Sequence, residues 1–139
     1  FQGVLKEISA PELGSFAIRA ALERSEVPAE NIDEVLMGCV LPAGMGQAPA
    51  RQASLGAGIP NSTCCTTVNK MCGSGMKTTM MAYDALRAET NEIMVAGGME
   101  SMKLASFGQT GMHLSQVRQS NNSSMEPTLV GGLLFLTKA

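Results

Sequence analysis

Cys72 stands where a β-branched run gives way to a helix-like one, in the stretch TTVNKMCGSGMKTTMMAYDALRAE, residues 66–89. A helix N-terminus presents unpaired backbone N–H groups and roughly half a positive charge. Both favour a thiolate, so a cysteine placed there is set to attack carbonyl carbon at neutral pH. Gly73 and Gly75 lack a Cβ and let a substrate carbonyl come close to the backbone. The Cys72 N–H is a candidate donor to a developing oxyanion. The competing reading is plain: cysteine is among the most buried residue types and usually acts as a small core hydrophobe. Other motifs fail on inspection. GSGMKT has no glycine beside Lys77, as a phosphate-cradling loop needs, and Thr78 spoils G-x-G-x-x-G. Ser74 lacks the glycines of a G-x-S-x-G elbow.

The elements that must hold this thiol alternate. Ser9-Ala10-Pro11-Glu12 is a capping box with proline in the first turn, which predicts a helix start. Leu13, Phe16, Ala17 and Ala20 recur at helical spacing and predict its apolar face. Residues 35–41 (VLMGCVL) read as a short buried strand with a central glycine, followed by the glycine- and proline-punctuated loop PAGMGQAP. A short helix over 50–57, a strand over 63–68, a helix from Gly73 or Ser74 to about Glu89 and a strand over 92–96 follow. The last helix carries Met76, Met80 and Tyr83 on one face and few charges, so it is expected to be mostly buried. Strands alternating with helices predict βαβ units, an α/β fold with a largely parallel sheet. Residues 1–102 form the expected domain. Residues 103–139, with the polar run QSNNSS and the apolar but aperiodic 129–136, are expected to be a divergent, irregular tail.

Composition narrows the function. The chain has 139 residues, 45% hydrophobic and 16% charged, which suits one soluble globular unit with a real core. A net charge of −2 with no basic stripe argues against nucleic acid as the partner, and 4% aromatics without Trp argue against stacking platforms. No apolar run reaches the roughly 18 residues of a membrane span. Phe1 in place of Met, with no basic-then-apolar leader, suggests a processed, trimmed or incomplete chain. No C-x-x-C pair exists and His113 is the lone histidine, so no zinc site is expected. Adjacent Cys64 and Cys65 make a shared bridge implausible. The four cysteines are read as thiols in a reducing compartment, cytoplasmic or an organellar matrix.

GCVLPAGMGQAPARQASLGAGIP, VNKMCGSGMK and VAGGMESM, in this order and spacing, resemble successive motifs of the thiolases, in the acetyl-CoA acetyltransferase branch. The resemblance runs from about Phe1 to Met102. It implies the N-terminal layered βαβαβ unit of that fold, with Cys72 at the position of the acylated cysteine. It also implies an acyltransferase of lipid metabolism that performs a Claisen condensation of two acyl-CoA molecules and the reverse thiolysis. Coenzyme A thioesters are then the substrates and partners, no cofactor or metal is needed, and the full-length family is homo-oligomeric. The α-proton must be taken by a base that one nucleophilic cysteine cannot supply. The family's Gly-His-Pro and second Cys-x-Gly motifs are absent from these residues.

The resemblance further implies a first strand ahead of FQG near the middle of the sheet, so strands 35–41 and 92–96 are expected to face a gap. Segment 129–136 is the one apolar run to fill it. Asn69 is expected to hold a turn, Glu100 to cap a loop in preference to acting as a base, and His113 to lie on the surface. Cys39, Cys64 and Cys65 are expected in core or strand positions. Two rival functions stand beside the enzyme. One is a catalytically inactive thiolase fragment, the expected state of this chain alone. The other is a redox-responsive thiol protein, favoured if Cys64 or Cys65 lies near enough to Cys72 to resolve a sulfenic acid.

Overall fold

The computed structural model describes residue 5, residues 7–101, and two strands at 128–130 and 133–137. Helix α1 (Ala10–Ser25) starts where the capping box places it: the Ser9 side chain accepts from the Glu12 N–H, and the Glu12 carboxylate accepts the Ser9 N–H at 2.9 Å. A 3₁₀ turn (Ala29–Asn31) leads to strand β1 (Glu34–Gly38), then helix α2 (Pro49–Gly56), strand β2 (Cys64–Val68), helix α3 (Ser74–Arg87) and strand β3 (Ile93–Gly98). Strands β4 (Thr128–Val130) and β5 (Leu133–Thr137) complete the set. These two strands lie inside the segment expected to be irregular; the rest of 103–127, with His113, lies outside the described residues.

The sheet runs β2-β1-β3-β5-β4. β1 pairs in parallel with β2 on one side and with β3 on the other, the latter in register Glu34↔Met94 to Gly38↔Gly98. The expected gap between β1 and β3 is therefore not there. The two runs are both extended, parallel and matched over five residues, so they satisfy each other's backbone groups directly. β5 joins the far edge of β3 in antiparallel register, and β4 follows it.

Alternation along β1 sorts the core into two layers. Val35, Met37 and Cys39 pack with Ile18, Ala21, Ala50 and Ala53 of α1 and α2, while Leu36 packs with Ala82 and Leu86 of α3. A parallel strand covered on both faces reads as a continuous apolar run, which is why VLM carried no alternation. The apolar face expected on α1 is displaced by one position. Ala10, Gly14, Ile18, Ala21 and Leu22 are buried, whereas Phe16 is 53% exposed. Close approach of α2 decides this, because a Cβ on Gly14 would lie 3.0 Å from the Ala53 Cβ and only small residues fit that seam.

Helix α3 also differs from expectation. Its buried line is Ser74, Thr78, Ala82 and Leu86, while Met76, Met80 and Tyr83 are about half exposed. Apart from Leu86, it is small and hydroxyl-bearing residues that face the sheet. None of the described helices is long and apolar enough to cross a membrane.

Candidate active site

Glycines let α3 begin directly on the sheet. A Cβ on Gly38, at the end of β1, would stand 2.6 Å from the Gly75 nitrogen and 2.8 Å from the Ser74 Cβ. A Cβ on Gly98, at the end of β3, would stand 3.1 Å from the Gly75 Cα. The buried Thr78 hydroxyl ties the same turn down, 2.8 Å from the Gly97 carbonyl and 2.7 Å from the Gly75 carbonyl. The first turn of α3 thus rests on the carboxyl ends of two parallel strands, where open α/β sheets place their ligands.

Cys72 lies two residues before Ser74, the first residue of α3, and is exposed. The turn that carries it is tightly bonded. Asn69 accepts the Met71 N–H at 3.1 Å and donates to the Val40 carbonyl at 3.1 Å. The Ser74 hydroxyl accepts the Lys70 N–H at 2.8 Å and donates to the Met71 carbonyl at 2.6 Å. The Gly73 N–H closes on the Lys70 carbonyl at 3.1 Å. Met71 itself has φ 48, the left-handed region, at a cost of about 1–3 kcal/mol for a residue with a side chain.

Glu100 stands behind this turn. Its carboxylate accepts the Val40 N–H at 2.8 Å and the Leu41 N–H at 3.2 Å, so it caps the end of β1. The Cys39 thiol, 3.9 Å from the same carboxylate, is buried. Burial first, and then the neighbouring Glu100 charge, push Cys39 up to about 11, so it is no nucleophile at neutral pH. Cys64 and Cys65 occupy the opposite end of β2, whose five residues span about 13 Å. Beside the Cys72 turn a shallow recess is lined by Lys70, Gly73, Met76, Lys77 and Met80. Two ammonium groups among thioethers suit a ligand with both anionic and apolar parts. Among the described residues no group of three histidines, cysteines or carboxylates could hold a metal ion.

The sequence placed Asn69 in the turn, as observed, while Gly75, expected to admit a substrate carbonyl, packs on the backbone of Gly98. Sequence reasoning missed Ser74 as a brace and the contact of Gly38 with α3. The glycine inside a buried strand was the available signal, since such glycines mark close backbone approach.

Residues 1–138 match the thiolase N-terminal domain. The chain belongs to the thiolase family. Among its relatives, acetyl-CoA acetyltransferase 2 of Arabidopsis thaliana is 48% identical over 134 residues, which cover 96% of this chain and 32% of that protein. Mitochondrial acetyl-CoA acetyltransferase B of Xenopus laevis is 57% identical over 102 residues, covering 73% of this chain and 24% of that one. The crystal structure of Acat5 thiolase from Ascaris suum in complex with coenzyme A superposes with a TM-score of 0.74 at 39% identity, over 83% of this chain and 30% of that one. The chain thus spans between about a quarter and a third of the length of these thiolases.

Proposed function

We propose that this chain carries the nucleophilic half of an acetyl-CoA C-acetyltransferase, and that Cys72 is the acylated residue. The observation that carries the reading is an exposed cysteine held by a strained, braced turn at the start of a helix seated on glycines. In the acyl step the Cys72 sulfur attacks the thioester carbonyl of acetyl-CoA. The carbon–sulfur bond to coenzyme A breaks, the coenzyme leaves as its thiol, and the proton given up by Cys72 balances that thiol. A second acyl-CoA, deprotonated at its α-carbon, then attacks the acyl-cysteine to give a 3-ketoacyl-CoA and restore the thiol. A thioester suits both steps, because its α-protons are acidic and its thiol leaves readily. The similarity to acetyl-CoA acetyltransferases and to a thiolase in complex with coenzyme A supports this substrate class. The recess lined by Lys70 and Lys77 offers charge for an anionic part of the ligand.

The base for the α-proton is the part this reading does not place on the chain. His113 is the single histidine and follows methionine, so no Gly-His-Pro sequence is present in these 139 residues. The 139 residues by themselves are accordingly proposed to accept an acyl group without completing the condensation. The compartment we favour is a reducing one, cytoplasm or an organellar matrix; the Xenopus laevis relative is named mitochondrial. A redox function gains nothing from the geometry, since Cys64 and Cys65 sit at the far end of β2 from the Cys72 turn.

The test is direct acylation. Incubation with acetyl-CoA, followed by digestion and mass spectrometry, should show an acetyl group on the Cys72 peptide that hydroxylamine removes and Cys72→Ala abolishes. Equal acetylation of Cys64 would contradict the reading.

A further inference from the structure

Val40 is gripped through both of its backbone groups, and the proposed acyl transfer does not use that grip. Its N–H donates to one Glu100 carboxylate oxygen at 2.8 Å, and its carbonyl accepts from the Asn69 amide at 3.1 Å. The oxygen of the same Asn69 amide accepts the Met71 N–H at 3.1 Å. A continuous line therefore runs from Glu100, two residues past β3, through Val40, two residues past β1, to Asn69 and Met71, and the next residue is Cys72. Asparagine suits the junction chemically, because a short amide both donates to Val40 and accepts from Met71, which an ionised aspartate could not do.

Met71 is the link that needs holding. Its φ of 48 is one that residues with a Cβ rarely adopt, and its side chain is 70% exposed, so side-chain packing does little to fix it there. Asn69 bonds its N–H and Ser74 bonds its carbonyl. If the φ of Met71 relaxed into the ordinary region, the chain direction at Cys72 would change and the thiol would swing away from the start of α3.

We infer that Asn69, set in place by Glu100 through the Val40 peptide, is a positioning residue that keeps Met71 left-handed and so presents Cys72 at the N-terminus of α3. The inference rests on the reading of Cys72 as nucleophile, and its test separates the two. Iodoacetamide labelling of the 139-residue chain at pH 7 is followed by mass spectrometry at three cysteines. Cys64, exposed and remote, is the internal rate standard, and the buried Cys39 reports loss of the fold.

In the unsubstituted chain the ratio of Cys72 to Cys64 labelling tests the nucleophile itself: a ratio no greater than one removes that reading whatever the variants do. Given a high ratio, Asn69→Ala should lower it roughly three- to tenfold, as loss of one ordinary hydrogen bond does to the balance between a braced and a relaxed turn. The double variant Asn69→Ala, Met71→Gly should recover the ratio to within about twofold, because glycine takes positive φ without help. A merely structural asparagine would not be relieved by glycine at position 71. An unchanged ratio in Asn69→Ala, or a double variant as slow as the single one, overturns the inference. If Asn69→Ala opens the fold and labels Cys39, the double variant decides. Restored Cys39 protection with fast Cys72 labelling supports the inference, and continued Cys39 labelling contradicts it.

Discussion

Gly38 and Gly75 bring the end of β1 and the first turn of α3 into backbone contact, so close that a Cβ on Gly38 would stand 2.6 Å from the Gly75 nitrogen. Backbone cannot yield there as a flexible side chain would. Gly38→Ala should therefore cost about 3 kcal/mol, at the upper end of ordinary overpacking, and should move α3 with its thiol. Gly73→Ala is the control: its Cβ would meet the Lys70 carbonyl at an ordinary 3.5 Å. It should cost less than about 1 kcal/mol. Urea melts of the two variants make the comparison.

Glu100→Ala leaves the Val40 and Leu41 N–H groups without their carboxylate acceptor. The site is half-buried, so water compensates in part, and a loss of about 1–3 kcal/mol is expected by urea melt. Glu100→Gln retains one acceptor oxygen and should lose about half as much. A general base in the same place would show the opposite pattern, with stability unaffected.

Cys39 gives the chain a dependence on alkaline pH. Its folded value of about 11 lies above the ordinary 9.0, because burial and the Glu100 charge disfavour the thiolate. Between those values the unfolded chain has released the proton that the folded chain keeps. Stability from this group is thus full below about pH 9 and falls as pH rises toward 11. The loss is roughly 2–3 kcal/mol for two units. Urea midpoints at pH 8 and pH 11 should diverge less in Cys39→Ala than in the unsubstituted chain.

These residues show what the sequence made legible. The capping box at Ser9 and Glu12, the β-α-β alternation and the junction thiol are local signals, readable from neighbours a few residues apart. The α1 face was not, because large residues such as Phe16 drew the apolar stripe while the real seam demanded a small one, Gly14 against Ala53. The pairing of β1 with β3 is a contact between residues about sixty positions apart, and no local pattern specifies it. The same holds for the left-handed Met71: methionine gives no hint of positive φ, which arises from bonds supplied by Asn69 and Ser74.

Turnover is a separate question from acylation. Incubated with acetoacetyl-CoA and coenzyme A, the 139-residue chain should form no acetyl-CoA above background, since its sole histidine is not in a Gly-His-Pro sequence. Production at even about a thousandth of the common 1–1,000 per second, lost on Cys72→Ala, would show that a base lies within these residues.

The most direct measurement is the relative alkylation of the four cysteines by iodoacetamide at pH 7. Cys72 and Cys64 are both exposed, so access alone should not separate them, whereas Cys39 is buried. Cys72 should be modified several-fold faster than Cys64, faster again than half-buried Cys65, and Cys39 last, because the braced turn presents the Cys72 sulfur at the start of α3. Equal rates at Cys72 and Cys64, with Cys39 still protected, would contradict the claim that this turn builds a nucleophile.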